Sequence, residues 1–76
     1  MSKIWNILAF ESTHAAMAAQ DALASLKPYV IPTPKAITAG CGMSLRMDDE
    51  QAKQAREILD TRPDIMKLAA WHRIEL

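Results

Sequence analysis

Apolar positions recur along this chain with two different periods. Residues 3–10 (KIWNILAF) are rich in β-branched and aromatic side chains and predict a strand. Residues 14–26 (HAAMAAQDALASL) contain no Gly or Pro and many Ala, the strongest helix former. Ala16, Ala19, Leu23 and Leu26 fall on one helical face, so this segment predicts an amphipathic helix. Ser12 or Thr13 can cap it by accepting a free first-turn N–H. Lys27-Pro28 ends it. Tyr29, Val30 and Ile31 predict a short strand that stops at Pro32 or lies at an edge, because Pro cannot donate to a ladder. Thr33 can cap a helical turn that begins at Pro34 and runs over residues 35–39. Residues 43–47 (MSLRM) alternate, with Met43, Leu45 and Met47 inward and Arg46 outward. Asp48 caps a second helix, and Gln51 stands where a capping box needs it. Ala52, Ala55, Ile58 and Leu59 form that helix's inner face. Pro63 ends it or opens an extra turn over residues 64–70, and residues 71–76 (WHRIEL) predict a last strand.

Strand, helix, strand, strand, helix, strand is the split βαβ pattern. The expected fold is therefore α+β and ferredoxin-like (βαββαβ), one domain over residues 1–76. Its four-stranded antiparallel sheet has the spatial order 4-1-3-2, with two helices on one face. Strand one turns inward either Trp5, Ile7 and Ala9 or Ile4, Leu8 and Phe10. Either choice leaves apolar side chains on the open sheet face, which suggests a homodimer or partner surface.

Composition narrows the classes. Half of the 76 residues are apolar, but 13 of these are Ala, so the core is thin and a partner would help it. Nine Lys and Arg balance nine Asp and Glu. A zero formal charge gives no electrostatic footprint for nucleic acid or an anionic membrane. No apolar run reaches membrane-spanning length and no signal peptide is evident, so a cytoplasmic protein is expected. One Cys excludes an internal disulfide, and one Cys with two His falls short of a zinc set. The carboxylates offer no acid/base pair. No metal and no cofactor is expected.

Cys41 is the residue with chemistry to offer. In this topology it precedes strand three and lies near Ser12, Thr13 and His14 at a helix N-terminus, where free N–H groups and the dipole favour a thiolate. Gly40 and Gly42 leave the thiol approachable and can form an anion nest. His14 can stabilise a thiolate, and Thr33-Pro34 can shape the wall of the pocket. Plainer roles stand beside each of these. Free Cys is often a small core hydrophobe. The Gly pair can simply make a turn, His14 can be solvated, and Thr33-Pro34 can be a helix start.

Ser12-Thr13-His14, Ile31-Pro32-Thr33-Pro34, Cys41-Gly42 and Leu45-Arg46 form a series along the chain. It resembles the selenium/sulfur carrier-like family of small domains, with Pro-Thr-Pro seven residues before Cys-Gly as its most specific part. The resemblance covers nearly the whole chain. It departs at Thr38-Ala39-Gly40, where the family pattern tends towards Ser, and in a longer tail over residues 61–71. The resemblance implies that Cys41 holds sulfur or selenium as a persulfide or selenosulfide, received from a donor protein and passed to an acceptor.

A non-enzymatic carrier is thus the leading expectation. Carriage requires an exposed nucleophilic thiol and no acid/base machinery, and a single thiol disfavours CxxC-type redox exchange. The alternative is a ferredoxin-like module that binds a small ligand or another protein, with Cys41 incidental. A thiol enzyme using His14 as base ranks third.

Overall fold

The computed structural model describes residues 3–76. Its strands are β1 (Ile4–Phe10), β2 (Tyr29–Pro32), β3 (Met43–Met47) and β4 (Ala69–Glu75). Its helices are α1 (Thr13–Ala22), α2 (Asp49–Leu59) and the short α3 (Pro63–Met66). The sheet order is β2-β3-β1-β4, with every neighbouring pair antiparallel. This is the expected α+β architecture.

Both main helices begin as their sequences dictate. The Ser12 hydroxyl accepts the Ala15 N–H at 3.1 Å. Asp48 and Gln51 form a reciprocal capping box on α2. α1 ends sooner than its composition suggests. After Ala22 the chain tightens into a 3₁₀ turn at Ala24–Leu26, then takes a left-handed conformation at Lys27 (φ 52°). Pro28 disfavours helical backbone in the residue before it, so the helix cannot run on.

The helix side of the sheet is settled. Leu8 and Phe10 pack inward with Leu45 and Met47, against Ala15, Ala16, Ala19 and Leu23 of the first helical segment. Ala52, Ala55 and Leu59 of α2 and Ile65 of α3 complete this core. Methyl-lined helix faces let the backbone come close to the sheet, so small side chains still fill the space.

The far side of the sheet is not open, as the sequence suggested, but partly roofed. Ile7 and Ala9 point outward yet are 0% and 2% exposed. Ile37 and Ala39, in the segment between β2 and β3, pack against them, and Trp5, Ile31 and Ile74 of the strands flank them on the same face. Nor is residues 35–39 a capped helical turn. A single reverse turn joins the Ile37 N–H to the Pro34 carbonyl at 2.9 Å. Thr33 does not cap it, because its polar groups are bonded elsewhere.

At the opposite end of the molecule, Asn6 is buried on the helix side. Its amide donates to the Asp49 carboxylate at 2.8 Å. Arg73 donates to Asp49 at 2.9 Å and to the Asn6 amide oxygen at 3.1 Å. The trio ties β1 and β4 to the start of α2.

Candidate functional site around Cys41

Cys41 stands where the loop from β2 meets β3. Its own N–H donates to the Phe10 carbonyl at 3.0 Å, which fixes it beside the end of β1. Its Sγ receives the Met43 N–H at 3.3 Å and lies 3.7 Å from the Thr13 hydroxyl. The sulfur therefore takes its backbone hydrogen bond from its own strand rather than from the end of α1. Helix α1 contributes a side-chain hydroxyl.

The exposure that carriage requires is not met in this conformation. Cys41 is only 4% exposed and is part of the main core. The bends before and after it bring the thiol under Thr13, and the sheet end closes over it.

Thr33 organises the loop that carries the thiol. Its hydroxyl donates to the Cys41 carbonyl at 3.0 Å, and its N–H donates to the Gly42 carbonyl at 2.9 Å. A hydroxyl has one hydrogen, so the 2.7 Å contact between Thr33 and Ser44 runs from Ser44 to Thr33. Ser44 is fully buried. Sequence reasoning passed over it because a Ser at an outward strand position reads as a solvated residue. Its opposition to Ile31, two residues from Thr33, is set by strand pairing.

The two glycines have different uses, and neither has positive φ. A Cβ at Gly40 would run into the Glu11 carbonyl oxygen, so the close approach of two backbones requires Gly there. A Cβ at Gly42 would meet nothing within 4 Å. Backbone freedom on both sides of the thiol is thus not what the pair supplies. Ser12 serves as the helix cap. His14 is exposed, and no hydrogen bond joins it to Cys41 among the described residues. Pro34 contributes the carbonyl of the reverse turn. The structure therefore gathers Thr13, Thr33, Gly40 and Gly42 around Cys41, and gives Ser12, His14 and Pro34 other surroundings.

Over residues 6–65 the chain matches the family described as "Putative Se/S carrier protein-like". The chain belongs to that family. No curated protein and no solved structure matches it. The stretch matched to the Se/S carrier-like family holds Cys41 and its hydrogen-bond partners Phe10, Thr13, Thr33 and Met43, and it ends before β4. Among the described residues, no three His, Cys, Asp or Glu side chains gather as metal ligands would. No helix among them is long and apolar enough to cross a membrane.

Proposed function

We propose that this protein carries sulfur or selenium on Cys41 between a donor and an acceptor protein. The observation that carries this reading is the placement of the one thiol in the family-matched stretch. Its sulfur faces a backbone N–H and a hydroxyl. Loading is an exchange at sulfur. The Cys41 sulfur attacks the terminal sulfur or selenium of a donor persulfide or perselenide. The donor's S–S or S–Se bond breaks, its thiol leaves with the proton, and Cys41 keeps the chalcogen as a persulfide or selenosulfide. Delivery repeats the exchange with an acceptor thiol. Oxidation states balance, and neither step needs an outside oxidant. Burial of the sulfur means that transfer requires the loop of residues 33–42 to lift. The loop is tied to the sheet by the Thr33–Ser44 hydrogen bond, the Cys41 N–H bond to the Phe10 carbonyl and the apolar contact of Ile37, the kind of local structure that opens below the cost of global unfolding.

Intact mass of the non-reduced protein tests the reading, before and after incubation with a cysteine or selenocysteine desulfurase and its substrate. A reductant-labile sulfur or selenium adduct is expected on the native chain and not on Cys41→Ser. A chain left unmodified under conditions that load another carrier overturns the proposal. The 4% exposure of Cys41 favours one second reading, a protein-interaction module in which the thiol is a core side chain. On that reading, Cys41→Ser keeps full cellular function.

A further inference from the structure

The outer sheet face carries cations on aromatic rings, and no carboxylate side chain of the four strands turns to it. The Lys3 ammonium lies 4.2 Å from the centre of the Trp5 ring. The Arg46 guanidinium lies 4.2 Å from that same ring and 4.6 Å from the Tyr29 ring. Strand register places these groups together: Tyr29 is opposite Arg46, and Arg46 and His72 flank Ile7 from the two neighbouring strands. Glu75 is the one carboxylate within the four strands, and its alternation with Ile74 turns it to the helix side. Asp49, whose carboxylate Lys3 influences through space, is on the helix side and already bonded to Asn6 and Arg73. Arg46 has no hydrogen bond or ion pair among the described residues, and its Nε is buried without a partner. A guanidinium stacked between two rings and left unpaired is held ready for a planar, two-oxygen acceptor.

We propose that this face docks an acidic segment of a partner protein, with Arg46 and Lys3 as the carboxylate anchors. Single-stranded nucleic acid fits less well. Its bases need free aromatic faces, whereas Trp5 already bears Lys3 and Arg46, and Tyr29 bears Arg46. A second copy placed face to face would set Arg46 and Lys3 against like charges. The site adjoins the thiol loop without depending on the carrier reading. Arg46 is two residues along β3 from Ser44, which is bonded to Thr33, which holds Cys41.

The test is an amide NMR titration of the full chain with a synthetic oligoglutamate peptide, with oligouridylate in parallel. Saturating shifts are expected on Lys3, Trp5, Tyr29 and Arg46, weakening as salt rises. Binding should fall about two- to fivefold in Arg46→Gln and in Lys3→Gln, the range one exposed ion pair provides. It should be unchanged in Lys53→Gln on the exposed side of α2. Shifts spread over the whole surface, equal loss in Lys53→Gln, or tighter binding of oligouridylate each overturn the proposal. So does a concentration-dependent dimer in sedimentation that Arg46→Gln abolishes. If Arg46→Gln does not fold, Lys3→Gln decides, because Lys3 is exposed just before β1.

Discussion

Ser44 donates its hydroxyl hydrogen to Thr33 at 2.7 Å, which leaves the Thr33 hydrogen free to hold the Cys41 carbonyl at 3.0 Å. Two hydroxyls, one on β3 and one just past the end of β2, thereby set the position of the thiol-bearing backbone. Thr33→Val keeps the shape and removes this relay. The buried Ser44 hydroxyl and the Cys41 carbonyl both lose a partner, so chemical denaturation should show a loss of about 1–3 kcal/mol. Labelling of Cys41 by a thiol reagent under native conditions should speed up by more than the fraction of globally unfolded protein explains. Equal labelling rates in the two proteins would show that Thr33 does not restrain the loop.

Gly40 and Gly42 should respond in opposite ways to the same change. Gly40→Ala drives a methyl into the Glu11 carbonyl, and backbone on both sides must move. A cost of about 1–3 kcal/mol is expected, as for overpacking elsewhere. Gly42→Ala meets open space at an ordinary φ, so its effect should stay within about 0.5 kcal/mol. Urea denaturation of the pair measures the contrast.

Ile37 packs on Ile7 and Ala9, and Ile37→Ala removes that contact. A well-buried Ile cut to Ala costs about 2–5 kcal/mol, and a loop free to settle puts this site at the low end. Hydrogen exchange should quicken across residues 33–41 while the amides of α2 keep their protection. Uniform loss of protection would mean that the loop and the core unfold as one unit.

Acid should weaken the link between α2 and the sheet. The Asn6 amide first, and Arg73 second, hold the Asp49 carboxyl below its ordinary value of 3.8. A group depressed in the folded state contributes stability that is fully present above its unfolded pKa and lost as pH falls through its folded pKa. The native chain should therefore exceed Asp49→Asn in stability near neutral pH. The gap should close as the solution is acidified below the ordinary Asp range. Thermal melts of both proteins from neutral to strongly acidic pH follow this directly, and a gap that persists in acid would assign it to another cause.

Much of the fold was legible in the residues. Alternation over Met43–Met47 told which side chains turn inward, because a strand's period of two leaves no other choice once Leu and Met alternate with Ser and Arg. The Asp48-Gln51 pair marked the start of α2 through an interaction that spans four residues. The inward face of β1 stayed ambiguous, because both of its faces are apolar. The explanation is a second small core under Ile37. Residues 35–39 looked like a helix start, since Thr-Pro is a local signal and the competing partners of Thr33 lie eight and eleven residues away.

By itself the sequence determined what is local or countable: the order of the strands and two main helices, the caps of α1 and α2, the lone thiol, the Pro-Thr-Pro to Cys-Gly spacing and a net charge of zero. The tertiary structure alone decided what depends on strand pairing. It put Met43 and Thr13 against the sulfur, buried the thiol and brought Ser44 to Thr33. It also sorted a neutral composition into a sheet face of stacked cations and a helix side that holds the Asp49–Arg73 pair. Charge balance is a sum over the chain, whereas recognition depends on which charges share a surface, and a composition cannot contain that information.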